Sequence, residues 1–136
     1  MFNSSWKMAA ADPASKKLLY LAAAFNLLAG LLVLLFVHQA PALVGLQISD
    51  ASQLMYVDLV AWLVTCFGLG YALGGYDLQR FWPFIAMGAL GKLGVVALVI
   101  GYFACGHAGL LVALLSLGDL LFAILFVRLL RAHMIS

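Results

Sequence analysis

Four apolar runs, each about as long as a bilayer is thick, constrain this chain more than any other feature in it. A helix rises about 1.5 Å per residue, so roughly 20 residues cross a hydrocarbon core of roughly 30 Å. Runs of that length lie at about 18–37, 54–73, 82–103 and 108–130. Of 136 residues, 67% are hydrophobic and 9% charged, against about 25% charged in an ordinary soluble domain. So few charges do not cover a globule in water, whereas in lipid a helix satisfies its own backbone and needs no polar coat. The expected fold is all-α: one integral membrane four-helix bundle, with residues 1–17 as an interfacial N-terminal segment. Asp12-Pro13 is a helix-start signal, and Phe2, Trp6 and Met8 are candidates for the membrane surface. Ala40-Pro41-Ala42 loosely resembles a cleavage site. The first run, however, is longer than the roughly 7–15 residues of a signal peptide's apolar region, and so reads as a retained span.

Basic residues set the topology. Lys7, Lys16 and Lys17 precede the first run, Arg80 lies between the second and third, and Arg128 and Arg131 end the fourth. The loops at 38–53 and near Cys105–His107 hold neither Lys nor Arg. Every Lys and Arg outside the runs therefore falls on one side, which the positive-inside rule makes cytoplasmic. Short loops make neighbouring helices antiparallel, giving an up-down-up-down bundle with both termini inside. Tyr20, Tyr71, Tyr76, Phe81 and Trp82 fall near the cytoplasmic interface, and Tyr56, Tyr102 and Phe103 near the other, as anchoring rings would.

Charges inside the runs are the candidates for chemistry. Lys92 lies near the middle of the third and Asp119 near the middle of the fourth. Each costs about 2.5–3.5 kcal/mol at bilayer depth, so an ion pair is expected. Asn26 and Thr65 lie at similar depth, and Ser116 is one turn from Asp119 on the same face. Together these residues predict a polar layer. One reading makes it a structural network that fixes helix register; the other makes it a proton- or ligand-responsive site. Asp58 lies about one turn inside the membrane on the face of Ala61 and Thr65. It is either a cavity-lining acid or an interfacial acid reaching to water.

A second group gathers toward the outer face: His38, Met55, Asp58, Cys105 and His107. Imidazole and sulfur are soft-metal ligands, but these residues have no recognised metal spacing, so His38, Cys105 and His107 are weak candidates and no metal or other cofactor is expected. The depths of Cys66 and Cys105 differ too much for a disulfide. Gly88, Gly91 and Gly94 repeat every three residues, and Gly70 and Gly74 form a GxxxG. Both patterns suit close helix approach, within the chain or between copies. In the distinctive stretch Gly74–Pro83, Pro83 is expected to start the third helix and Asp77 and Arg80 to pair or cap locally, with a partner's docking site as the alternative. There is no G-x-S-x-G, H-E-x-x-H, P-loop or Rossmann fingerprint, so no enzyme is expected. No basic cluster is dense enough for nucleic acid.

Gly68, Gly70 and Tyr71, then Tyr76-Asp77-Leu78-Gln79-Arg80, then Gly88-Ala89-Leu90-Gly91-Lys92, and finally Gly118-Asp119 with Ala123, Phe126 and Arg128, resemble small four-span bacterial membrane proteins of the DoxX-like kind. That resemblance covers most of the apolar chain. It implies an accessory role in respiratory or thiol-redox membrane complexes and carries no site motif. The sequence thus leads to a non-enzymatic, multi-pass protein of the bacterial inner membrane. Its partners would be the lipid bilayer, a lipid or quinone-like ligand, and further copies or a larger complex. Asn26, Asp58, Thr65, Lys92 and Asp119 would line its interior. The rivals are an oligomeric transporter or channel using Asp58, Lys92 and Asp119, and a redox- or metal-linked membrane protein.

Overall fold

The first three helices each begin at an aspartate whose carboxylate accepts a first-turn backbone amide, and the fourth begins at Gly109 without a side-chain cap. The computed structural model describes residues 7–44 and 46–135. In it, β1 (Lys7–Met8) leads to α1 (Pro13–Phe36), and a 3-10 turn (Pro41–Val44) to α2 (Ala51–Tyr76). Then come α3 (Leu78–Ala104), α4 (Leu110–His133) and β2 (Met134–Ile135). The expected surface positions of Phe2 and Trp6 lie outside the described residues. Asp12 caps α1 by accepting from the Ser15 amide at 3.2 Å, with Pro13 in the first turn. Asp50 caps α2 through the Gln53 amide at 2.9 Å, while Gln53 reaches back to the Ser49 amide at 2.7 Å.

The α2–α3 connection is tighter than the sequence suggests. Asp77 alone separates the two helices: its amide donates to Leu73 O at 2.9 Å and its carboxylate accepts from the Arg80 amide at 3.2 Å. α3 therefore starts at Leu78, and Pro83 lies inside it, where the missing N–H forgoes the bond to Gln79 O. Pro83 does not open this helix as expected, because the Asp77 cap nucleates it earlier. Arg80 does not form an ion pair with Asp77; its guanidinium stands over the Phe81 ring at 5.7 Å. At the other end of α3, Gly106 takes φ +76°. The amides of Gly106 and His107 bond to Phe103 O at 3.0 Å and Tyr102 O at 2.8 Å, which is a Schellman closure with glycine in its left-handed position.

Four helices of 24, 26, 27 and 24 residues are about 36–40 Å long, and all four are apolar enough to cross a bilayer. The chain is a multi-pass membrane protein built as a four-helix bundle. α1 packs on α2 and α3 on α4 as two hairpins. In the first, α1 and α2 approach so closely that a Cβ on Gly30 would strike the Thr65 hydroxyl, and one on Gly68 would crowd Leu27. The hairpins meet through α2 and α3, where Gly70 faces Phe84, Gly74 faces Ile85 and Gly88 faces Tyr71. These contacts lie toward the end that holds both termini and the Asp77 turn, called the inner end below. The buried core lies there too, built around Leu19, Tyr71, Leu78, Ile85, Phe126 and Leu129. Gly91 and Gly94, expected to continue the packing seam, do not: a Cβ on either would meet nothing within 4 Å, because a three-residue repeat falls behind the roughly 3.6-residue turn and swings each successive glycine away from the Gly88 face.

The chain ends close the inner end. β1 pairs antiparallel with β2, Lys7 opposite Ile135 and Met8 opposite Met134. Gln79 Nε2 donates to Met8 O at 2.9 Å, and the Ala9 amide to His133 O at 2.8 Å. The His133 ring lies between Leu129 O, 2.9 Å from Nδ1, and Asp12 Oδ1, 3.3 Å from Nε2. Both neighbours are acceptors, so only the doubly protonated ring donates to both.

The Ser15 hydrogen bond, helped by the charge of His133, holds the Asp12 carboxyl below its ordinary 3.8. A carboxyl lowered by folding stabilises the fold when ionised, and that contribution disappears as pH falls through the lowered value. Amide exchange at Ser15 and Ala9 is therefore expected to accelerate beyond its intrinsic pH dependence only below about pH 3.8. Asp12→Ala should show the faster exchange already at neutral pH; wild-type protection in that variant would rule out the cap.

Candidate functional site

Lys92 is drawn into the bundle by partners from every other helix. It lies near the midpoint of α3 and is buried, at 5% exposure. Its ammonium donates to Asn26 Oδ1 of α1 at 2.8 Å and to Asp119 Oδ1 of α4. Asn26 in turn donates through Nδ2 to Val64 O of α2 at 3.3 Å. Three rings surround the same ammonium: Phe25 of α1, Tyr71 of α2 and Phe122 of α4, with centroids at 5.5, 5.4 and 5.7 Å. Aromatic faces stabilise a desolvated cation through their quadrupoles, and the Asp119 carboxylate cancels its charge. Two of the three ammonium donors are thus committed to named oxygens, leaving one N–H for the rings or for a further acceptor.

Above this centre, on the side away from the termini, the hairpins enclose a cleft of about 360 Å³. Asn26, Lys92, Ser116 and Asp119 form its polar floor, and valines and leucines of α2, α3 and α4 form its walls, among them Val60, Leu63, Val95, Val99 and Val112, with Ala29 from α1. Ser116 donates to Ala113 O at 2.7 Å, so it offers the cleft acceptor lone pairs. Asp119, with 21% of its side chain exposed, opens toward the same space. A mostly apolar cavity with a few convergent polar groups is the usual form of a small-molecule site.

The polar layer expected from the sequence therefore assembles only in part. Asn26, Lys92, Ser116 and Asp119 come together, but Thr65 does not join them. Its hydroxyl donates back to Ala61 O at 2.9 Å and packs at Gly30. Depth is legible in the sequence, but the rotation of α2 turns Thr65 to α1 and leaves the Val64 carbonyl as that helix's contribution. Asp58 also stands apart. Near the outer end it pairs with His38 Nε2 at 2.8 Å on an open groove with Met55 and Trp62. Its second oxygen, Oδ1, is buried without a partner. His107 and Cys105 are exposed on the α3–α4 turn. Among the described residues no three metal-ligating side chains gather, and Cys66 and Cys105 are free thiols.

Sequence reasoning misses the ring of aromatics. Tyr71, expected as an interfacial anchor, is 1% exposed, stacked edge-on against Phe126 at 4.9 Å and seated on Gly88. Two spacings carry the signal: Phe25 adjoins Asn26, and Phe122 follows Asp119 by three residues on one helical face. A scan of protein-family models returns no match, and searches of curated proteins and solved structures return none either.

Removing one member of the pair leaves the other charge uncompensated. Asp119→Leu and Lys92→Met are each expected to cost roughly 3 kcal/mol of stability, whereas the double variant, which buries no charge, should recover most of it. Thermal unfolding in detergent measures all three. Additive losses in the double variant would show that the two side chains do not act as a pair.

Proposed function

We propose that this is a non-catalytic binding protein of the bacterial inner membrane, holding one small amphipathic molecule, lipid or quinone-like, between its hairpins. The observation that carries this reading is the cleft: apolar along its walls, polar only at its floor, and deep in the bundle. The floor offers one ammonium N–H together with acceptors on Asp119 and Ser116, so a ligand's polar end finds partners there while its apolar remainder lies along the valines. Below the floor the buried core around Leu19, Tyr71, Ile85 and Phe126 leaves the cleft blind, which favours binding over conduction through a single bundle. At the floor the Ser116 hydroxyl donates to Ala113 O and the Lys92 ammonium to Asn26 and Asp119, an arrangement that supports a binding role over catalysis. The DoxX-like resemblance belongs to this proposal as well, since an accessory role in a respiratory membrane complex would suit a protein that holds such a molecule.

The inner end carries Lys7, Lys16, Lys17, Arg80, Arg128 and Arg131, and the positive-inside rule assigns it to the cytoplasm. Single cysteines replacing Ala14 and Arg80 are expected to be shielded together from an impermeant thiol reagent added to intact cells, with Cys66 and Cys105 first changed to serine. Labelling of one but not the other would break the up-down-up-down assignment. For the ligand, the full chain purified in mild detergent is expected to release an apolar small molecule on solvent extraction. The double variant Lys92→Met/Asp119→Leu, folded but without the charged pair of the floor, should release far less. A wild-type sample with no bound molecule would overturn the reading.

A further inference from the structure

The walls and the floor of the cleft impose separate conditions on what can fill it. The outer halves of α2 and α3 face each other across a gap. On one side stand Val60 and Leu63, both more than half exposed; on the other, Val95 and Gly91, where an added Cβ would meet nothing within 4 Å. This mouth opens on hydrocarbon, and its rim offers no polar side chain. A polar group moving through it meets no partner until it reaches Lys92. The floor itself is electrically balanced: Lys92 and Asp119 cancel, and Asn26 and Ser116 carry no charge. An anionic head would stand unbalanced beside Asp119, and a cationic one would add to Lys92 within the aromatic ring. Either would be an uncompensated charge at low dielectric. The floor lies near the midpoints of α1, α3 and α4, about 15 Å from either hydrocarbon boundary, so an ionised head would have to leave its hydration far behind to reach it.

Resting on the reading of the cleft as a binding site, we infer that its occupant is a membrane lipid whose polar end carries no net charge and presents a carbonyl or hydroxyl oxygen. It enters sideways from the bilayer, between the outer halves of α2 and α3 at Gly91. The remaining N–H of the Lys92 ammonium donates to that oxygen, and a hydroxyl head can donate in turn to Asp119 or Ser116. Charged phospholipids and ionised fatty acids are excluded by the balanced pair and the unlined mouth, although their tails would suit the walls.

The test uses the full chain in detergent, stripped of lipid, with binding followed by native mass spectrometry and equilibrium titration. The probes are a short-chain benzoquinone, farnesol, palmitate at a pH where it is ionised, and phosphatidylglycerol. The two uncharged probes are expected to bind saturably, and the two charged ones at least roughly tenfold more weakly. Gly91→Leu fills the mouth without touching a polar group and should slow association of both uncharged probes by roughly tenfold or more. Gly94→Leu, equally open on α3 but off the cleft, should bind as wild type. Should Gly91→Leu fail to fold, Val95→Trp narrows the same mouth from the same helix. Charged probes binding as tightly as uncharged ones would overturn the inference and leave the binding function standing. Unaltered association with the mouth filled would overturn the lateral route. Failure of every probe to bind the wild-type chain would remove the binding function itself.

Discussion

One ammonium group holds this bundle in register. In lipid the hydrophobic effect gives apolar helices no reason to prefer one another over acyl chains, so association falls to close packing and to polar contacts between helices. Lys92 supplies the second on a scale nothing else in the described residues matches. Through Asn26 it reaches α1, through the Asn26–Val64 bond it reaches α2, and through Asp119 it reaches α4. A slip of one residue in any helix would rotate a partner away and leave a charge unmatched in hydrocarbon. The tight hairpin between α3 and α4 sets Lys92 against Asp119, and the contact with Asn26 then joins that hairpin to the other.

The rest of the architecture follows from where packing reinforces this contact and where it does not. Toward the inner end, glycines bring α2 and α3 together and large side chains interlock around Tyr71 and Phe126. The paired strands, the Gln79–Met8 bond and the single-residue turn at Asp77 tie off the same end. Beyond Lys92 the seam has no such contacts, α3 turns bare glycines outward, and the hairpins part. The cleft is thus the region where packing between the two hairpins stops, although α1 and α2 stay in close contact at Gly30 and Thr65, and the polar centre is its floor because it is the last contact before the hairpins separate.

Much of this is legible in the sequence, for a physical reason. Span number, loop polarity and the pairing of Lys92 with Asp119 follow from depth alone, and depth is counted directly along a helix. Rotation is not. Thr65 and Asn26 have the same depth, but one faces α1 and the other the centre. Tyr71 sits near an interface by count, yet it points inward because Gly88 leaves a space for its ring. Gly91 and Gly94 share the spacing of Gly88, but a repeat of three drifts round a helix of about 3.6 residues per turn, so Gly91 reaches only the border of the cleft and Gly94 lies off it. Pro83 misleads for a related reason: it suits a helix start, but the stronger signal is Asp77, which ends one helix and begins another. The pairing of the chain ends has no readable signal, since two residues on each side are too few for any alternation to show.

Because the polar floor is both the joint of the bundle and the candidate site, binding and assembly cannot be independent. The cleft is walled by residues from all four helices, so a molecule held there touches both hairpins at once and adds contacts where the protein alone has none. A ligand that binds only the assembled form stabilises it by an amount set by its concentration relative to its dissociation constant. The outer half, left open by diverging helices, would be the part most strengthened, and the inner half, already interlocked, the least. An empty cleft in a membrane fills with acyl chains, which satisfy the walls but leave the spare donor of Lys92 without an oxygen. On the proposed reading the difference between those two occupants lies at the floor, where one hydrogen-bonding position would separate a specific ligand from ordinary lipid.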